Sequence, residues 1–274
     1  MSEPANTYLA EGDDERERLR IQASLQGDRD LNVIAAATRE LPGPLAGIDL
    51  GCDDGHLTRL RFASERFECV LGLDRPEPAI AAAAAQTTDP RFHFEVAEFE
   101  SGDLAQRLEG FAAGQPTAVF ASFVAHLLDD PRSVLAALYR GLPSGSRVLL
   151  REIDEGLNAM WPDPDGIYAR IVELSRRARG EASRMHARRL PVLLKRAGFR
   201  DVRFSNNTHA SCNFDDAGRR DLARAHFGFR LEPWFGRDPE IRRELAELVP
   251  QAIELVSSGQ SFLAVSHPLL SARV

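Results

Sequence analysis

The sequence predicts an α/β fold built on a mostly parallel sheet, and three observations carry that prediction. Apolar strand-like runs alternate with amphipathic helical stretches from Ala46 to Ile153, the order expected of βαβ units. The first run, Ile48-Asp-Leu50, opens into a glycine-bearing turn, Gly51-Cys-Asp-Asp-Gly55. The second, Cys69 to Asp74, closes on a carboxylate. In open parallel sheets ligands sit beyond the carboxyl ends of the strands. There glycine admits close backbone approach, and an acid after the second strand accepts hydrogen bonds from ribose hydroxyls. The pairing therefore points to a nucleoside cofactor.

Taken in order, residues from about Glu11 to Arg39 read as two short helices joined near Gly27, with Leu19, Ile21, Leu25, Leu31, Ile34 and Ala35 on the apolar side. A strand runs to Leu50, a helix starts at about Gly55 and a second strand reaches Asp74. The alanine run through Ala81 to Ala85 is strong helix former. It leads to the strand Phe92 to Ala97, a helix near Asp103 to Phe111, and the strand Thr117 to Ser122. A helix from Pro131 to about Arg140 and the strand Arg147 to Ile153 complete the alternation. After Asp154 it breaks in the turn-rich Trp161-Pro-Asp-Pro-Asp-Gly166, which leads into a helix through Arg179. The pattern resumes with the helix Leu190 to Ala197, a stop at Gly198 and the strand Phe199 to Phe204. A second helical insertion, from about Asp215 to Ser258, precedes the final strand, Ser261 to Ser266.

Composition bounds the function. With 274 residues, 43% of them hydrophobic and 27% charged, the chain is an ordinary globular protein. No run approaches the roughly 20 apolar residues that span a bilayer, and the polar amino terminus carries no export signal, so a cytoplasmic location without membrane contact is expected. Three cysteines without paired spacing predict reduced thiols and no metal site. A net charge of −7 argues against nucleic acid as a partner. Nothing distinguishes a monomer from a homodimer.

The stretch Asp49-Leu-Gly51-Cys-Asp53-Asp-Gly55 resembles the D-x-G-x-G-x-G motif of class I S-adenosylmethionine-dependent methyltransferases. Phe123-Val-Ala-His126-Leu-Leu-Asp129-Asp-Pro131 resembles the segment after the fourth strand in the small-molecule branch, the one similar to quinone and natural-product methyltransferases. Leu190 to Val202 resembles its helix-to-strand passage. The resemblance implies a Rossmann-like, mostly parallel seven-stranded sheet with helices on both faces. It also implies a helical cover over 1–40 and a methyltransferase domain over 41–274, with lid insertions at about 155–187 and 210–258. The implied activity is methyl transfer from S-adenosylmethionine to an oxygen or nitrogen, less readily a carbon, of a small-molecule acceptor, leaving S-adenosylhomocysteine.

The same resemblance implies the site. Gly51, Cys52, Asp53 and Gly55 line the methionine moiety, Asp74 takes the ribose hydroxyls, Arg75 lies near the adenine, and Glu98 and Phe99 meet the base. Tyr8 and Gln22 lie in a segment like the amino-terminal helix folded over the cofactor, and Ser122 closes the fourth strand beside it. The chain departs from the family at Asp53, where a glycine is usual: its carboxylate either faces the cofactor's ammonium or repels the cofactor's carboxylate. The second outcome would leave a methyltransferase-like binding or scaffold protein. For Asp74 the alternative is a helix N-cap before Pro76. His126 is either the acceptor's general base or a packing residue. Glu152 and Asp154, placed on one face of the fifth strand by period-two alternation, either act on the substrate or pair with Arg151 and nearby arginines. In the insertions and beside them, Trp161, Arg188, His209 and Trp234 are the candidates for acceptor contact.

Overall fold

A computed structural model describes residues 17, 20–21, 23–25, 28–180, 184–232, 235–236 and 238–274. Tyr8, Gln22 and Trp234 lie outside the described residues. The elements run α1 (Asp28–Thr38), β1 (Leu45–Leu50), α2 (His56–Arg61), β2 (Phe67–Asp74), α3 (Glu77–Ala85), β3 (Phe92–Val96), α4 (Leu104–Ala112), β4 (Thr117–Ser122), α5 (Pro131–Gly141) and β5 (Arg147–Arg151). They continue with β6 (Ala159–Trp161), α6 (Ile167–Arg179), α7 (Leu190–Ala197), β7 (Arg200–Ala210), α8 (Asp216–Phe227), α9 (Pro239–Ser257) and β8 (Phe262–Arg273).

Two compact units divide the chain. A sheet unit gathers Asp28–Glu152, Ala187–Ser205 and Pro268–Val274; a helical unit gathers Ile153–His186, Asn206–His267 and the described residues ahead of Asp28. In the sheet unit the strand order is β3-β2-β1-β4-β5-β8, with β7 also paired to β8. Strands β1 to β5 are mutually parallel and β8 runs antiparallel to β5. That is the expected mostly parallel sheet of seven strands. The eighth, β6, was not anticipated: it pairs antiparallel with Phe262, Leu263 and Ala264 in the helical unit. β7 and β8 also run well beyond the stretches read from sequence.

Period-two alternation builds the sheet unit's core. In β4, Val119 and Ala121 face one apolar cluster with Leu104, Leu108, Leu135, Leu138 and Leu194 from the helices. Ala118 and Phe120 face the opposite cluster with Ile34 of α1 and Phe62. Both faces are covered, which is why these strands read as continuous apolar runs. The helical unit has a core of its own, centred on Ile171, Leu174, Leu222, Phe227, Leu245, Val249 and Val256.

Four ionisable side chains are buried inside the sheet unit. Asp49 of β1, Asp30 of α1, Arg61 of α2 and Arg151 of β5 are 0%, 3%, 4% and 1% exposed. Arg61 Nε donates to Asp30 Oδ2 at 2.9 Å and Arg61 Nη1 to Asp49 Oδ2 at 3.1 Å. Thr58 Oγ1 also donates to Asp49, at 2.7 Å, and Arg151 pairs with Asp30. Both guanidiniums lie over the Phe120 ring, 4.5 and 5.5 Å from its centroid. Two carboxyls and two guanidinium groups are thus matched to one another in the interior, where an unmatched one would be costly.

Candidate active site

The glycine turn joins β1 to α2 at the carboxyl edge of the parallel strands. Gly51 and Gly55 have φ of 76° and 71°, a region closed to most residues with a Cβ. Space is also lacking: a Cβ on Gly51 would sit 2.4 Å from Val124 Cγ2, and one on Gly55 2.6 Å from the Phe94 ring. Asp53 adopts φ 48°, at a cost of about 1 kcal/mol for a residue with a Cβ. Cys52 is buried, and desolvation, reinforced by the surrounding carboxylates, pushes its thiol far up. It is therefore no nucleophile.

Asp74 fastens this turn. Its Oδ2 accepts from Asp53 N at 2.8 Å and its Oδ1 from Arg75 N at 2.7 Å, while Leu73 O receives Gly51 N at 2.8 Å. It does not cap the following helix, whose N-cap is Pro76 without a side-chain bond. Burial raises the Asp74 carboxyl, and the two backbone donors counter that shift in part.

A second constellation follows β4 and β5. Phe123 takes φ 59°, an uncommon conformation for a bulky side chain, while its N–H donates to Arg151 O at 2.8 Å. The chain then turns into a short helical turn, Ala125–Leu127. Glu152, 1% exposed, accepts the Ala125 N–H on Oε1 at 2.6 Å and meets His126 Nδ1 with Oε2 at 2.9 Å. A carboxylate only accepts, so the Nδ1 proton belongs to this bond and the basic lone pair belongs to Nε2. The unusual Phe123 backbone, invisible in the sequence, brings His126 back toward the end of β5.

The expected shared face of Glu152 and Asp154 is not formed. β5 ends at Arg151, and Asp154, whose side chain accepts from Gly156 N at 3.1 Å, caps a short helical turn in the other unit. Nor does Arg151 pair with Glu152, since its partner is Asp30. Ser122 is half-buried at the end of β4, and Phe99 is buried in the sheet unit's core. Glu98 forms an exposed ion pair with Arg75 at 3.9 Å. Arg188 is exposed in the sheet unit. Trp161, 75% exposed, and the buried His209, 5.3 Å from His267 ring to ring, lie in the helical unit.

Residues 48–148 match the family described as a methyltransferase domain, a stretch running from β1 to the start of β5. Phosphoethanolamine N-methyltransferase 2 of Haemonchus contortus, solved with phosphomonomethylethanolamine and S-adenosylhomocysteine, is similar over 99% of this chain at 15% identity and a TM-score of 0.55. The chain covers 61% of that enzyme's length. A putative methyltransferase of Bacillus halodurans is similar over 88% of this chain and 98% of its own, with 18% identity and a TM-score of 0.50. The plantazolicin methyltransferase BamL is similar over 98% and 94%, with 14% identity and a TM-score of 0.51. No curated protein matches the chain. At these identities the solved structures share the fold. The fold is that of the class I S-adenosylmethionine-dependent methyltransferases, and residues 48–148 match the methyltransferase-domain family.

Proposed function

We propose that the protein transfers a methyl group from S-adenosylmethionine to an oxygen or nitrogen of a small-molecule acceptor. The observation that carries the acceptor chemistry is the His126–Glu152 pair at 2.9 Å, held at the carboxyl edge of the strands. Bound there, the cofactor would supply a methyl group already activated by its sulfonium. Asp74 fits its ribose: each carboxylate oxygen has one backbone donor and a remaining lone pair, an acceptor pair suited to a diol. Gly51, Asp53 and Gly55 would border the methionine part, with Arg75, Glu98 and Phe99 toward the base.

His126 Nε2 would take the proton of the attacking O–H or N–H, and Glu152 would stabilise the imidazolium so formed while fixing its orientation. The remaining task is positioning of the acceptor, which supplies much of the rate in an in-line displacement. We assign acceptor contact to Arg188, which belongs to the same unit as the His126–Glu152 pair.

Calorimetric titration with S-adenosylmethionine and S-adenosylhomocysteine tests the cofactor, with Asp53→Gly run beside the wild type. Micromolar binding by the wild type supports the reading. Binding by the variant alone favours a scaffold protein whose site Asp53 disables, and binding by neither removes the cofactor from the account. A mass shift of one methyl on an acceptor, lost in His126→Ala, tests the chemistry.

A further inference from the structure

We propose that the helical unit carries a second binding site, for the oxyanion of a small carboxylate or phosphate, formed by Tyr168, Arg184, His226 and Arg230 around Glu155. The residues all belong to that unit, and none has a role in methyl transfer, so the proposal stands apart from that reading.

Charge comes first. One carboxylate oxygen, Glu155 Oε1, accepts from Arg184 Nη2 at 2.6 Å and from Arg230 Nη2 at 2.5 Å. Both arginines and the glutamate are at most 6% exposed, so two cations share one buried anion. An uncompensated buried charge is costly, and an arriving oxyanion would balance it. Burial raises the Glu155 carboxyl, but the two guanidiniums outweigh it and hold the group below its usual range, so Glu155 stays ionised. Burial, reinforced by the neighbouring cations, keeps His226 neutral. The excess of one positive charge therefore stands.

Geometry agrees. Arg230 is fixed by Ser175 Oγ at 2.9 Å and by the His226 carbonyl, and its guanidinium lies 4.4 Å from the Phe229 centroid, with that of Arg184 at 5.0 Å. The cationic groups are thus pre-oriented. Beside them, Arg184 Nε, Tyr168 Oη and His226 Nε2 are buried with no hydrogen-bond partner among the described residues, and His226 as a whole is 8% exposed. Folded proteins rarely leave such groups unmatched, and all three can donate to an oxyanion. Glu155 Oε2 is likewise unmatched. It would accept from a ligand hydroxyl, as in a hydroxy acid or a protonated phosphate. A concavity of about 350 Å³ lined by Arg230, Leu231, Pro239, Arg242, Arg243 and Ala246 lies next to Arg230. Its size suits a small molecule.

The test is calorimetric titration of the full chain at low salt with inorganic phosphate and, separately, with lactate. Tyr168→Phe removes one unmatched hydroxyl and leaves the packing intact. It should weaken binding roughly tenfold or more, the usual effect of a hydrogen bond to a charged group, while the melting temperature stays level or rises. Binding of phosphate alone, or of lactate alone, with that loss supports the site and names its ligand class. No binding of either at millimolar concentration overturns the proposal. So does binding that Tyr168→Phe leaves unchanged and that only Arg242→Ala with Arg243→Ala reduces, because that result describes surface attraction.

Discussion

Removing Asp30 should unseat the sheet unit more than any surface change of similar size. In Asp30→Ala, Arg61 retains Asp49 at 3.1 Å, but Arg151 loses the only carboxylate it pairs with among the described residues. Arg151 is 1% exposed, and its Nε and Nη1 already lack hydrogen-bond partners among the described residues. The variant therefore leaves a guanidinium in an apolar setting with neither water nor counter-charge. Breaking a buried pair in this way costs about 3–5 kcal/mol, and each kcal/mol lowers the melting temperature of a chain of this size by about 2–4 °C. A fall of roughly 6–20 °C by scanning calorimetry is expected. Asp30→Asn, which keeps an oxygen acceptor, should lose less. The decisive comparison adds Arg151→Met: the double variant should recover about 1–3 kcal/mol relative to the sum of the single changes, because the stranded charge goes with its partner. Additive losses, or a cost below about 1 kcal/mol for Asp30→Ala, typical of exposed pairs, would refute the reasoning.

Other consequences follow from the site and the helical unit. His126→Ala should lower kcat by about 10²–10⁴-fold with little change in KM, while Glu152→Gln should reduce it less; steady-state kinetics on an identified acceptor decides. Gly55→Ala combines left-handed backbone strain with a Cβ 2.6 Å from Phe94 and should cost about 1–3 kcal/mol in urea unfolding; a neutral result would mean that the ring moves freely. Asp53→Gly relieves the φ of 48° and should gain up to about 1 kcal/mol in the same assay. Glu155 has a folded pKa below its ordinary value near 4.5. The stability it contributes is complete above 4.5 and is lost as pH falls through the folded value. Urea midpoints of the wild type should therefore drop more steeply than those of Glu155→Gln between pH 5 and pH 3, and parallel curves would exclude this linkage.

What the sequence revealed was whatever a local pattern can encode. β4 and α7 begin and end at Thr117, Ser122, Leu190 and Ala197 as the alternation and the Gly198 stop predict. The end of β5 was misplaced because Ile153 continues an apolar rhythm, whereas Asp154 turns the backbone by bonding to Gly156 N two residues on. Glycines 51 and 55 were legible as a turn, yet their tight fit against Val124 and Phe94 depends on residues distant in sequence. The partnership of His126 with Glu152 had the same character: each was a candidate alone, and only the Phe123 backbone brings them within 2.9 Å. Arg61, Arg151, Arg184 and Arg230 look like ordinary charged residues in a row of letters. Nothing local announces that their carboxylate partners lie 12, 31, 29, 75 or 121 positions away, and so both buried ion clusters were missed.

The main chain passes between the two units after Gly27, Glu152, His186, Ser205 and His267. The last two passages fall inside β7 and β8, in the middle of continuous strands. Neither unit can therefore be excised with one cut, and a graft of the inserted helices onto another scaffold would have to carry half-strands with it. Recombination at element boundaries, the usual way to exchange substrate specificity between related enzymes, would sever hydrogen-bonded ladders here. The helical unit of this chain is therefore more open to change by point substitution than by replacement.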